Sequence, residues 1–421
     1  MTSEKSRISA EAVILIAVFI LSNFRAFLFF SLFPSLSWSP LGLAWIEIAL
    51  WVVIFILAAR VLARNGLFSA YWACWRTSWV VSVLVLLALL SLLWSVSPIA
   101  SLFRWLEFAF ATALAFYLCA MYDLRQILNW LAWCGVYVAL LGILLAIFVP
   151  DLGTMMGYLY HGAWRGLFWH RNHFGSSMAL FNLVYLFQIP LNASRNRTQA
   201  YFWGFFYVFT VLLTFLSRSA SGVILLLLLN FAYIALLAWM RFKSRMRPFH
   251  YYALGFVLLM IAVAGFWNLD PLLGLFGRNS TLTGRLGLWG YLLGDAVSQR
   301  PVLGHGFGSI WNDASFRVET ARAIGWDFAV LIGDNGFIDV LLHLGLVGLG
   351  IFGALIIIAL ARSVRFAFTR QTLAAFFPLL FMIYALIANI TFSLFMETEM
   401  FIWILMLVVL AKTDPRLDTQ P

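Results

Sequence analysis

Apolar runs of about 20 residues recur along this chain, each long enough at 1.5 Å per residue to carry an α-helix across the hydrocarbon core of a bilayer. They constrain the fold more than any other feature, because a backbone in lipid must satisfy its own hydrogen bonds. The runs predict spans at about 13–32, 42–62, 78–94, 101–121, 127–149, 174–191, 201–216, 221–240, 251–269, 336–361, 374–392 and 397–411. The runs are too many for one to be a signal peptide. With 64% hydrophobic and only 10% charged residues, 19 Trp and 41 Phe, the chain cannot assemble a water-facing surface. The expected class is all-α: a polytopic membrane protein of about 12 transmembrane helices, residues 1–421 forming one membrane domain, with a helical extracytoplasmic loop subdomain. Cys74, Cys119 and Cys134 lie in apolar context without metal-ligand spacing and read as packing residues.

The net charge of +10 is distributed as topology requires. With the N-terminus placed in the cytoplasm, 17 of the 27 Lys and Arg fall in alternate, inside segments, from Lys5 and Arg7 through "RFKSRMR" to Lys412 and Arg416. Both termini are then cytoplasmic, and the basic excess is no nucleic-acid footprint. Two outside loops break the pattern. Residues 150–173 carry Arg165 and Arg171 in "WRGLFWHRNHFG", and residues 270–335 carry Arg278, Arg285, Arg300, Arg317 and Arg322. Cations that the sorting rule disfavours on that face either belong to a merely solvated loop or form a site for an anionic ligand.

The second loop, about 65 residues long, exceeds the length of ordinary connections. Within it Leu286, Trp289, Leu293 and Val297 stand at helical spacing, with Thr283 as N-cap and Arg300-Pro301 as the stop. This predicts an amphipathic helix on the membrane surface whose first turn presents Arg285 beside free backbone N–H groups, an arrangement suited to phosphate. Glu47, Arg104, Glu107, Asp334, Asp339, His343, Glu397 and Glu399 are the ionisable groups at spans or their outer ends. Arg104 and Glu107, three apart, and Asp339 and His343, four apart, are each spaced to pair on one helical face. The midplane is nearly bare of charge, which weighs against an ion-coupled transporter.

Four stretches in order, "SLLWSVSPIASLFRWLEF", "WRGLFWHRNHFGSSMAL", "STLTGRLGLWGYLLGDAVSQRPVLGHGFGSIW" and "DNGFIDVLLHLGLVGL", give the chain a resemblance to a known family. It resembles the O-antigen ligase and polysaccharide polymerase superfamily, in particular its exopolysaccharide-production branch. The resemblance implies a GT-C-like membrane fold in the bacterial inner membrane. It also implies a metal-independent, inverting glycosyltransferase on the periplasmic face, using an undecaprenyl diphosphate-linked glycan as donor and no cofactor. The acceptor is another lipid-linked glycan in the polymerases and the lipid A core in the ligases.

Carried onto this sequence, the resemblance makes Arg165 and Arg285 the diphosphate-binding arginines, joined by Arg171 and by Arg218, whose register in "FLSRSASG" departs from the family's. Guanidinium groups suit such a role as permanently ionised, bidentate donors. His170, Asn172 and His173 become substrate-lining residues. Family members commonly have a histidine before the asparagine that opens the tenth span, whereas here the pair is Asp334-Asn335. Asp334 is accordingly read as the base or acceptor-orienting group, with Asn335 beside it, and N-capping of the following helix is open to either. His161 and His305 read as loop residues, and His250 as cytoplasmic and unconnected to chemistry. Polymerase, ligase and lipid-linked glycan flippase all remain compatible with these residues, the polymerase being preferred.

Overall fold

In the computed structural model of the chain, residues 10–23, 40–157, 160–193, 196–245, 284–396 and 400–417 are described. They are helical throughout apart from connecting loops and one isolated bridge between Thr154 and Trp164. The helices are α1 (Ala10–Asn23), α2 (Pro40–Arg64), α3 (Phe68–Thr77), α4 (Trp79–Leu90), α5 (Pro98–Met121), α6 (Leu124–Phe148), α7 (Arg171–Ala193), α8 (Arg197–Leu216) and α9 (Ala220–Phe242). After them come α10 (Arg285–Tyr291), α11 (Ala314–Ala323), α12 (Gly336–Arg370), α13 (Phe377–Thr391) and α14 (Phe401–Lys412).

Among the described residues eight helices are long and apolar enough to cross a membrane, or nine if a bent pair forms one span. The protein is thus a multi-pass membrane protein. The eight coincide with the runs expected at 42–62, 101–121, 127–149, 174–191, 201–216, 221–240, 336–361 and 374–392. Among the described residues the remaining expected runs take other forms or fall outside what is described. The run at 78–94 is the second limb of a pair, α3 and α4, bent by 79° at Ser78. Within the run at 397–411 the described helix is the 12-residue α14, about 18 Å long and buried from Phe401 to Ala411. An apolar run buried all round reads like a lipid-facing span in sequence, because both environments exclude polar side chains. The run at 251–269, most of the second half of 13–32, Arg278, Thr283, His250, Glu397 and Glu399 lie outside the described residues.

The connections sort into two ends of the bundle. At one end the backbone of Val96 donates to the His305 carbonyl and Gly336 to Phe392, joining the segments around 95, 284–335 and 392–396, while Trp164 donates to Leu216, joining 150–170 to 217–219; the rings of His173 and Phe392, 5.1 Å apart, bring the two groups together. At the other, Arg362 donates to the carbonyls of Thr77 and Leu410, and Arg416 to Thr77. The alternation assumed from charge alone therefore brings both arginine-bearing loops to a single end.

α12 is interrupted at Gly345 (φ 64°, ψ −164°). A broken helix leaves backbone donors and acceptors that lipid cannot satisfy. Here residues 301–306 run alongside the break and satisfy both sides. Leu346 N–H donates to Pro301 (2.9 Å) and Val347 to Val302 (3.2 Å), while His305 and Gly306 N–H donate to Leu342 (2.8 Å) and His343 (3.0 Å). The second loop is thereby threaded into the membrane domain beside the first nine residues of α12.

Candidate functional site

The floor of the site is the start of α12. Asn335 is its N-cap, the side-chain oxygen accepting from Phe337 N–H (3.0 Å) and Ile338 N–H (3.3 Å), so of the two residues open to capping Asn335 takes the role. Asp334 is left to project elsewhere. It adopts φ 51°, a left-handed conformation that aspartate tolerates better than most residues, and its carboxylate meets Arg285 Nε at 3.1 Å. The Arg285 side chain is 9% exposed and that of Asp334 28%, so the pair is half-sheltered and open on the aspartate side.

Arg285 is held there by the shape of α10. Gly284, with φ 86°, turns the chain into the helix, and a π-helical turn at Leu292–Ala296 precedes the last turn, which ends before Arg300 as expected. The expected stripe divides: Trp289 and Val297 pack against the core of this loop, and Leu286 and Leu293 do not. Leu288, Leu292 and Ala296 are buried, in a small core with Trp311 and Ile338, whereas Leu286 is 52% and Leu293 47% exposed. α10 is apolar on more than one side, and the ion pair to Asp334 and the Trp289 indole bond to Gly333 O (2.9 Å) fix its rotation.

Asp339, one turn into α12, is fully buried and accepts from Trp311 Nε1 (2.8 Å), Gly333 N–H (3.1 Å) and Ser393 Oγ. It therefore joins three segments of the site and does not pair with His343 as the spacing suggested; its partners across the fold are spatially closer than the next helical turn. The expected Arg104–Glu107 pair does form, at 3.2 Å, buried beneath Gly308. His305 lies in a loop, as expected, but is buried, with Nε2 2.9 Å from the Ala296 carbonyl, and burial lowers its pKa below the ordinary 6.5.

The first loop meets this floor at Phe392, in the break after α13. The His173 ring lies 5.1 Å from the Phe392 ring and the Arg285 guanidinium 5.6 Å from it, so one aromatic side chain touches both arginine-bearing loops. Behind His173, α7 and α9 cross at Gly175 and Gly222, where backbone meets backbone and a Cβ at either would collide with the other helix or its cap. That approach lets Ser219 cap α9 through Gly222 N–H (3.2 Å) and donate to the buried Asn172 Oδ1 (3.0 Å). His170 receives Asn172 N–H at the start of α7 (3.2 Å). Arg171 is buried, stacks 3.8 Å from the Tyr160 ring centre and donates to the Arg218 carbonyl. Arg218 itself is exposed, in the left-handed region at φ 51°, with Nη1 3.3 Å from the His161 carbonyl.

Arg165 behaves differently. Its guanidinium folds back on its own loop, donating to the carbonyls of Asp151 (2.9 Å), Leu152 (3.0 Å) and Trp169 (3.4 Å), and burial lowers its pKa. It braces the loop that leads to Arg171, and none of its hydrogen bonds reaches the surroundings of Arg285. The structure thus brings together Arg285, Asp334, Asn335 and His173, with Arg171, Asn172 and Arg218 on an adjoining wall. Sequence reasoning missed Phe392, Tyr160 and Ser219. An aromatic side chain in an otherwise oily chain carries no local signal; only the break after α13 could have drawn notice to Phe392.

Among the described residues, three of the four non-glycine residues with positive φ, Arg218, Asp334 and Met396, lie at this end. Such conformations cost of order 1–3 kcal/mol each and concentrate where geometry is imposed by function. Among the described residues no group of three or more His, Cys, Asp and Glu side chains is placed to hold a metal ion. No protein-family model matches the chain, and no curated protein matches it.

Proposed function

We propose that the protein is a membrane glycosyltransferase that takes a glycan from undecaprenyl diphosphate on the periplasmic face of the bacterial inner membrane and passes it to a sugar hydroxyl, acting as a polymerase of lipid-linked glycan repeats. The observation that carries this reading is the meeting at Phe392 of a half-sheltered Arg285–Asp334 pair with the His173 wall. A cation and a carboxylate at one open spot are what a displacement at an anomeric carbon uses: charge stabilisation for the leaving diphosphate and a group for the acceptor proton.

In this reading Arg285, with Arg171 and Arg218 from the adjoining wall, faces the diphosphate. Asp334 takes the proton of the acceptor hydroxyl as its oxygen attacks the anomeric carbon. The bond from that carbon to the phosphate oxygen breaks, and undecaprenyl diphosphate leaves with the electron pair. A single displacement inverts the anomeric configuration. Asn335 holds Asp334 at the helix start as its cap, a positioning role. Arg165 supports the loop, and His170, Asn172 and His173 line the sugar side.

Reconstitution in liposomes with labelled lipid-linked glycan separates this from transport. A new glycosidic bond supports the enzyme; movement of intact donor between leaflets without one supports a flippase and contradicts it. Donor alone yields a ladder of repeat lengths for a polymerase, whereas a requirement for lipid A core identifies a ligase.

A further inference from the structure

A sizeable cavity lies at the end of the bundle away from the candidate site. It measures about 710 Å³, within the range of small-ligand pockets. Its apolar wall comes from Leu67, Ala70, Met121, Phe366, Ala375 and Ala411. Three cations from three different helices converge on it, Arg125, Arg370 and Lys412, against one carboxylate, Asp123. That carboxylate is engaged in a capping box, accepting from Gln126 N–H at 2.7 Å while the Gln126 side chain returns to Asp123 N–H at 2.8 Å. Arg370 and Lys412 stand at helix C-termini, where the helix dipole favours cations. Arg125 stands in the first turn of α6, where it does not. A second cavity of about 310 Å³ shares Tyr122 and Gln126 with the first and continues along Leu15, Leu118, Trp130 and Trp133.

We propose that this pair of cavities is a binding site for an anionic phosphate-bearing amphiphile, its headgroup among Arg125, Arg370 and Lys412 and its tail along Trp130 and Trp133. A basic rim over an apolar wall at a span end matches a phospholipid headgroup, which brings both chemistries in one molecule. A soluble phosphate would use the cations and leave the wall and the second cavity unfilled. Nothing in the proposal depends on the glycosyltransferase reading.

The test compares the full-length protein in zwitterionic detergent with added phosphatidylglycerol, phosphatidylcholine or inorganic phosphate, read by native mass spectrometry and thermal unfolding. Phosphatidylglycerol is expected to be retained and to raise the unfolding temperature, with phosphatidylcholine and inorganic phosphate doing neither. In R125Q/R370Q/K412Q the retention of phosphatidylglycerol is expected to fall about fivefold per cation removed. Ala375→Phe, which fills the cavity and keeps its charge, is expected to lose it also. Equal retention of the two lipids by the wild type, an equal effect of inorganic phosphate, or undiminished retention in both variants overturns the proposal. The wild-type comparison stands even if the variants fold poorly.

Discussion

Gly345→Ala is the perturbation whose cost can be read most directly from the fold. At φ 64° and ψ −164° the residue occupies a region essentially reserved for glycine, so alanine there costs about 1–3 kcal/mol in backbone strain. Its Cβ would also stand 2.5 Å from Leu303 N and closer still to the Val302 carbonyl. Relief requires residues 302–303 to retreat, and the bonds from Leu346 N–H to Pro301 and Val347 N–H to Val302 go with them, at about 0.5–1.5 kcal/mol each. The total is about 2–6 kcal/mol. Thermal unfolding in detergent, followed by tryptophan fluorescence, is expected to show a midpoint lowered by several degrees, and hydrogen exchange to show faster exchange at Leu346 and Val347. Gly350→Ala, where a Cβ meets nothing within 4 Å, is the control and is expected to be neutral or slightly stabilising. If both variants unfold together, and the two amides stay protected in Gly345→Ala, the threaded-loop account of α12 is wrong.

Other outcomes follow from the same contacts. Ser219→Ala removes the cap of α9 and the bond to Asn172 and is expected to cost about 1–2 kcal/mol in unfolding measurements. Arg165→Lys cannot bridge three carbonyls and is expected to raise protease nicking between residues 150 and 170, whereas a substrate-only role would leave cleavage unchanged. His305 is neutral when buried and titrates near 6.5 when unfolded. Its contribution is therefore fully present above about pH 6.5, declines as pH falls below that value, and levels off below its lowered folded-state pKa. Unfolding midpoints of the wild type are expected to drop more between pH 7 and 5 than those of His305→Gln.

The helical class and the spans were legible because a long apolar run leaves the backbone no other solution in lipid. The burial of α14 was not, since a core helix and a lipid-facing one satisfy the same hydrophobicity. Charge sorting placed both arginine loops at one end, and their shared contact with Phe392 agrees. α10 is apolar on more than one side, so spacing alone did not say that Leu288 and Leu292, and not Leu286 and Leu293, enter the loop core. For the site, the importance of Arg285 and Asp334 could be read from residue type and family resemblance, but their direct pairing could not. Arg165 looked equivalent to Arg285 in sequence. Its carbonyl partners at Asp151, Leu152 and Trp169 depend on how one loop folds back, which spacing does not encode.

The central claim is that Arg285 meets the leaving diphosphate and Asp334 the acceptor hydroxyl. Steady-state transfer by purified protein from undecaprenyl diphosphate-linked glycan, with both donor and acceptor varied, tests it most directly. Arg285→Ala is expected to lower kcat about 10²–10³-fold, the loss typical of removing one charge-stabilising donor, and Arg285→Lys to recover little of it. Asp334→Asn, close in shape, is expected to lower kcat by about 10²–10⁴-fold with donor KM nearly unchanged. Full transfer by Arg285→Ala and Asp334→Asn, inserted and folded as the wild type, would contradict the account.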